Sequence, residues 1–294
     1  MDSRQYIFIY PLKTNTDVPA DFPREFRSRP FESGIFLPQD DSNWFTRAPA
    51  RLLLLQERSF FIVPHPSSGL PPVEIKLDDL LQFETGCILL LGWMQFIARS
   101  EVHHLIYNTR GSRPLETFLG RLKRRWLENL PRLPKTTTEA YGDQLDIKFR
   151  NSVHFELEGE EASLMQYFQA PIRLEKKILL FRREDWRSGN VVFLTSMNRL
   201  VWITDQHRRR RELYASISRS VPSWLFENCT IEVNPEGLPH FVMLFRSGLE
   251  WRIPIFRALD EFSAFCDRLK QIVTPSALAN NGPREAARSA ARSN

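Results

Sequence analysis

The clearest hydrophobic pattern in the chain runs from Gly189 to Asp205, GNVVFLTSMNRLVWITD. Val191, Phe193 and Thr195 alternate with Val192 and Leu194, four turn-tolerant residues follow (Ser196, Met197, Asn198, Arg199), and Leu200 to Thr204 alternates again. This predicts an antiparallel hairpin with bulky residues on both faces. Leu52 to Val63, LLLLQERSFFIV, repeats the pattern, and both copies lead through similar spacing to an amphipathic helix.

Taken in order, Tyr6 to Tyr10 reads as a first strand, Pro11 to Pro30 as an irregular approach rich in proline and charge, and Phe31 to Phe45 as a polar loop flanked by buriable aromatics. Leu52–Leu55 pairs with Phe60–Val63 across Gln56–Ser59. The loop Pro64 to Pro72 cannot continue a ladder, because proline lacks the donor. Val73–Leu77, Leu80–Glu84, Ile88–Ala98 and Val102–Tyr107 are the next predicted strands. Pro114 then opens a helix with Leu115, Phe118, Leu119, Leu122 and Trp126 on one face and Arg121, Lys123, Arg124 and Arg125 crowding its end.

Residues 131–144 read as a linker by composition. Beyond it, a strand is predicted at Ser163–Phe168, then a charged segment from Arg173 to Arg187, the central hairpin, and a basic turn from His207 to Arg211. Leu213–Arg219, Trp224–Val233, Phe241–Phe245 and Glu250–Ile255 supply later strands. Leu259, Phe262, Cys266 and Leu269 form the stripe of a closing helix that Pro275 ends. The tail 276–294, dominated by Ala, Arg, Ser and Asn, is expected to be disordered.

The length of 294 residues suits two domains, 1–130 and 145–275, at roughly 150 residues each. Aligning Phe60 with Leu200 places Leu53 on Phe193, Leu55 on Thr195, Ile62 on Trp202 and Val63 on Ile203 without a gap; in the helices, Leu115 falls on Leu259 and Phe118 on Phe262. Aromatics make up 12%, with 22 Phe and 7 Trp, which favours strands. A net charge of +5 is too small to demand nucleic acid as a partner.

Cys87, Cys229 and Cys266 are odd in number and far apart in sequence, so neither a disulfide framework nor a CxxC metal site is expected, and a reducing cytoplasm is the expected compartment. The longest uncharged apolar segment, Cys87 to Ala98, falls short of the ~20 residues that cross a bilayer, and no signal peptide is read at the start.

The strand-turn-strand VVFLTSMNRLVWITD, the later hairpin FVMLFRSGLEWRIPI and the helix FRALDEFSAFCDRLKQI resemble the pleckstrin-homology-like superfamily, particularly its bacterial PH and GRAM-type members. The resemblance implies a mainly β fold with α, as two tandem PH-like barrels or sandwiches, each closed by a C-terminal amphipathic helix. It also implies an open end where strand-connecting loops gather. Arg173, Lys176, Lys177, Arg182 and Arg183 would lie in one such loop and Arg208, Arg209, Arg210 and Arg211 in another, as an anion- or lipid-binding set. Glu175, Glu184, Asp185 and Glu212 dilute both clusters, and a charged loop is commonly just a solvated one.

The six histidines show no HExxH spacing, and GxSxG, P-loop and GxGxxG motifs are missing. Tryptophans spread through predicted strands and helices read as core, and the cysteines as inert buried thiols. The expectation is a non-enzymatic adaptor or scaffold for a protein partner, with no cofactor and no metal. The alternative is peripheral binding to anionic membrane through the basic loops.

Overall fold

A computed structural model describes residues 8–39, 48–88, 91–99, 101–109, 111–128, 145–157, 161–178, 181–208, 213–235, 237–256 and 259–273. Within these, the side chains of 173–178, 181–186, 206–208 and 213–214 lie outside the description. The fold is mainly β, with seventeen strands and four α-helices among the described residues. It divides into two compact units, residues 1–129 with 208–217, and residues 130–207 with 218–294.

In the first unit, β1 (Tyr10–Leu12), α1 (Arg24–Ser28), β2 (Ser33–Leu37), β3 (Arg51–Leu55), β4 (Ser59–Pro64) and β5 (Val73–Lys76) come before a 3-10 turn at Leu77–Asp79. Then follow β6 (Leu80–Ile88), β7 (Leu91–Ala98), β8 (Val102–Asn108) and α2 (Arg113–Leu127). β1 to β5 form an antiparallel sheet in chain order, and β6, β7 and β8 a second meander.

The second unit holds α3 (Ile147–Glu156), β9 (Ser163–Gln169), β10 (Ile172–Ile178), β11 (Phe181–Arg187), β12 (Asn190–Thr195), β13 (Arg199–Arg208) and part of β14 (Leu213–Pro222). After a 3-10 turn at Ser223–Leu225 come β15 (Phe226–Val233), β16 (Pro239–Phe245), β17 (Glu250–Pro254) and a closing helix α4, residues 259–273. One sheet runs β14-β13-β12-β9 and another β15-β16-β17, while β10 pairs only with β11 among the described residues. Residues 213–217 of β14 count with the first unit, whose second sheet thereby continues β8-β7-β6-β14.

One plan therefore occurs twice: a four-strand meander, a 3-10 turn, a three-strand meander and a helix. β2 to β5, residues 77–79, β6 to β8 and α2 correspond to β9 with β12 to β14, residues 223–225, β15 to β17 and α4. Every strand order is linear, so the described sheets are open and none is a closed barrel.

The apolar residues on both faces of each hairpin are there because both faces are covered. On β3–β4, Leu52, Leu54, Phe61 and Val63 meet Leu12, Val18, Phe22 and Phe26, so the proline-rich approach, expected to be irregular, is a lid with a short helix. On β12–β13, Val191, Phe193, Val201 and Ile203 meet Leu145, Phe149 and Val153, largely from α3, which the sequence pattern did not predict. Asp146 starts that helix by accepting a hydrogen bond from the Phe149 amide at 2.9 Å.

The opposite faces point inward. Phe60 packs on Phe96 with ring centroids 4.7 Å apart, and Phe96 on Phe83 at 5.1 Å. In the second unit Phe262 of α4 lies between Tyr167 of β9 (4.6 Å) and Phe241 of β16 (3.9 Å), so the helix caps both sheets at once. The Trp126 indole of α2 donates to the Leu80 carbonyl at 2.9 Å and ties that helix to the start of β6.

The internal alignment needs two corrections. Leu55 pairs with Phe60 across four residues, whereas Leu194 pairs with Leu200 across five. The extra residue moves every equivalence on the first strand by one, so Leu54, not Leu53, matches Phe193. A slip of one residue exchanges the faces of a strand. The longer turn contains Asn198 at φ 63°, a left-handed position that asparagine tolerates, held by the Ser223 amide on its carbonyl at 2.8 Å. In the helices the buried sets align one turn away from the sequence match, with Leu115, Phe118, Leu119, Leu122 and Trp126 on Phe262, Phe265, Cys266, Leu269 and Val273.

Candidate functional site

Arg173, Lys176, Lys177, Arg182 and Arg183 lie on a regular two-stranded hairpin, β10–β11, instead of an irregular loop. Gln169 and Asn190, the residues flanking that excursion, are opposite one another where β9 pairs with β12, so the hairpin leaves and rejoins the sheet at one end. Its register sets Lys176 opposite Arg183, Lys177 opposite Arg182 and Glu175 opposite Glu184. Like charges directly opposite are unfavourable. Arg208 is the last residue of β13 and counts with the first unit, while β10–β11 counts with the second; Arg209, Arg210 and Arg211 lie outside the described residues.

A knot of buried polar groups anchors the base of the hairpin. Asp205 accepts from the Gly189 amide at 2.5 Å and from Lys148 at 3.3 Å, and the Thr204 hydroxyl donates to the Gly189 carbonyl at 3.2 Å. Asn190 accepts from the Trp202 indole at 3.0 Å and donates to Pro254 O, which also receives Gln169 Nε2 at 3.2 Å. Burial raises the pKa of Asp205, with Lys148 and the Gly189 amide opposing it. Each of these groups has a partner, which is the arrangement of a structural anchor.

The basic end of α2 splits three ways. Lys123 turns inward, its ammonium 5.6 Å from the Phe83 ring centre, and Arg124 is exposed. Arg125 Nε donates to Glu32 Oε2 at 2.8 Å and its other nitrogens reach Glu32 Oε1 and Glu128 Oε2, the latter at 2.5 Å. Hydrogen bonds donated to these carboxylates raise the pKa of Arg125. Arg121, Arg124, Arg125, Glu32, Glu128 and Leu55 line a cleft of about 320 Å³. Two carboxylates already occupy the Arg125 fork, so an anion arriving there would meet only Arg121 and Arg124.

The sequence offered no link between Asp21, His65 and Ser67, yet they form a chain. Ser67 Oγ lies 2.7 Å from His65 Nδ1, and His65 Nε2 lies 3.1 Å from Asp21 Oδ2. Nδ1 also accepts the Ser67 amide at 3.2 Å, which makes His65 the N-cap of the 3-10 turn Pro66–Ser68. The neighbouring amides of Ser68 and Gly69 are spent on His65 O and Pro66 O, so neither is left to stabilise an oxyanion. The ring stands edge-on to Phe22 at 5.3 Å, and the chain pins the proline loop to the lid of the first unit.

Among the described residues β15 is an exposed strand of the second unit. It is the terminal strand of its sheet, eight residues long, and only Phe226 is buried along it. Ile231 and Val233 are 50% and 67% exposed. A long edge with apolar side chains is normally blunted or occupied.

Cys229 sits mid-way along β15 and is partly exposed, whereas Cys87, expected to be buried, is exposed on β6. Only Cys266 is buried. Among the described residues no group of three or more metal-ligating side chains comes together, and no helix is long and apolar enough to cross a membrane. No family model matches the chain, and no curated protein is significantly similar to it.

Proposed function

We propose that the chain is a non-enzymatic tandem PH-like sandwich protein, an adaptor whose second unit takes an extended peptide of a protein partner onto the free edge of β15. The observation that carries this reading is the exposure of β15: among the described residues it pairs with β16 alone, an outer ladder edge supplies main-chain hydrogen bonds, and the exposed Ile231 and Val233 supply apolar contacts beside it. The repeated plan of four strands, three strands and a helix supports the PH-like part of the reading. A displayed library of random peptides, selected on the full chain, tests it. The expected outcome is enrichment of extended apolar sequences whose affinity falls at least about tenfold in Ile231→Lys and Val233→Lys, a change worth about 1.4 kcal/mol. Failure to enrich, or binding indifferent to both substitutions, overturns it.

A second reading, peripheral binding to an anionic surface, is favoured by the β10–β11 register. Two successive cation pairs, Lys176 with Arg183 and Lys177 with Arg182, lie opposite each other. Lysine and arginine bind phosphate oxygens through charge-assisted hydrogen bonds. Sedimentation with vesicles of pure phosphatidylcholine or with added phosphatidylserine separates the outcomes. Binding should need the anionic lipid, weaken with salt and fall when Lys176, Lys177, Arg182 and Arg183 are changed to serine. Salt-insensitive or undetectable binding rejects this reading.

A further inference from the structure

The cleft at the end of α2 is built from two fixed parts of the first unit. One wall is Glu32 with Leu55: the Glu32 amide donates to the Leu55 carbonyl at 2.8 Å, Leu55 pairs with Ser33 across the β2–β3 ladder, and Leu55 is only 1% exposed. The other wall is α2, where Arg121, Arg124 and Arg125 stand at positions i, i+3 and i+4 and so share one face. That helix is held by its buried stripe and by the Trp126 indole on the Leu80 carbonyl. The three guanidinium groups are not equivalent. Arg125 is bound between Glu32 and Glu128, whose side chains are 39% and 53% exposed. Arg121 makes one long contact, its Nη1 donating to the Ser33 hydroxyl at 3.4 Å, and among the described residues Arg124 has no carboxylate partner. The helix dipole accounts for cations in the last turn, which are Arg124 and Arg125, but Arg121 lies a turn earlier.

We propose that this cleft binds a small soluble phosphomonoester bearing hydroxyl groups, with its phosphate on Arg121 and Arg124 and its hydroxyls on Glu32 and Glu128. Three arginines against two glutamates leave the lining with one net positive charge, and Arg125 is already neutralised, so that charge belongs to Arg121 and Arg124. Two planar forks one turn apart suit the oxygens of a phosphate, which they bind by charge-assisted hydrogen bonds. The carboxylates decide what carries that phosphate. Exposed glutamates beside the arginines repel an anionic bilayer or a nucleic-acid backbone, yet their oxygens accept from the hydroxyls of a small molecule. Size agrees, because about 320 Å³ lies at the lower end of ligand sites, which run from roughly 300 to 1,000 Å³. The site uses no residue of β15 or of β10–β11 and stands independently of both readings of the second unit.

Isothermal titration of the full chain with glycerol 3-phosphate tests the proposal, with inorganic phosphate and glycerol as probes that each carry half of the ligand. Saturable one-to-one binding of glycerol 3-phosphate is expected, with a Kd of about 1 mM or tighter. Inorganic phosphate should bind more weakly and glycerol not at all. Arg124 is exposed and outside the buried stripe, so Arg124→Gln leaves the fold intact; it and Arg121→Gln should each weaken binding at least about tenfold. Arg113→Gln removes the same charge from the exposed first position of α2 and should leave the affinity unchanged. Vesicles containing phosphatidic acid present the same phosphate on a bilayer and should not compete; competition by them would transfer the site to a lipid headgroup and overturn the soluble ligand. Absence of saturable binding, equal affinity for glycerol or for inorganic phosphate, or equal losses in all three variants would also overturn the proposal.

Discussion

Arg199 donates to Glu156 Oε2 at 3.0 Å from a side chain that is 1% exposed, and the same guanidinium reaches the Glu156 carbonyl, Glu161 Oε2 at 2.9 Å and Ser220 Oγ at 3.1 Å. The residue at the end of the five-residue turn therefore clasps the C-terminus of α3, the segment after it and β14. The Arg199 pKa is raised by the two carboxylates despite the opposing effect of burial. Removing one partner of a buried pair leaves the other charge stranded. Arg199→Met should destabilise the chain by about 3–5 kcal/mol in urea unfolding. Adding Glu156→Gln and Glu161→Gln should restore a good part of that loss, and the absence of any recovery would count against the clasp.

Stability should also depend on pH through Asp205. Its folded pKa is raised, chiefly by burial, so the folded state binds the proton more tightly than the unfolded state does. The contribution of Asp205 is thus fully present below the ordinary aspartate range and is lost as pH rises through the raised value. Asp205→Asn keeps an acceptor for the Gly189 amide and removes the titration. Measured by urea unfolding from acid to neutral pH, the variant should gain on the parent chain across that window and run parallel above it.

Two glycines on β6 and β7 make room for aromatic rings. Gly86 is opposite Trp93 and Gly92 opposite Tyr107, and an added Cβ would come within 2.0 Å of the indole and 2.4 Å of the phenol ring. Gly86→Ala should displace the indole, break its hydrogen bond to Glu84 at 3.2 Å and cost about 1–3 kcal/mol. Tryptophan fluorescence would report the shift, and an unchanged spectrum with unchanged stability would contradict it.

The lid role of α3 can be measured at Phe149, which is 1% exposed against Val191, Phe193 and Val201. Phe149→Ala should cost about 3–5 kcal/mol, and Asp146→Ala, which removes only the cap, about 1 kcal/mol. Equal effects from the two would show that the helix is held by its cap and not by its apolar face.

The strands were legible where one residue type decides the backbone. Leu52–Leu55, Phe60–Val63, Val191–Thr195 and Leu200–Thr204 are short apolar runs bounded by turn residues, and all are strands. α3 was not legible because its amphipathic signal is weak: Ile147 and Phe155 are exposed, and only Phe149, Val153 and Glu156 are buried. α1 is five residues long, too short for a helical period to register. The sites were less legible than the fold. The Asp21–His65–Ser67 chain joins residues 44 positions apart, and the Arg199 clasp gathers Glu156, Glu161 and Ser220 from separate elements. Composition had marked the charged stretch Arg173–Arg187, but alternation there is masked by charge, so its hairpin register emerges only from the backbone.

The division of β14 sets an order for making the protein. β6 has β14 as its neighbour, and residues 213–217 of β14 count with the first unit although they come after β9 to β13 in the chain. During synthesis at ~5–20 residues per second, the first unit must hold the edge of β6 open for several seconds while most of the sheet of the second unit is being produced.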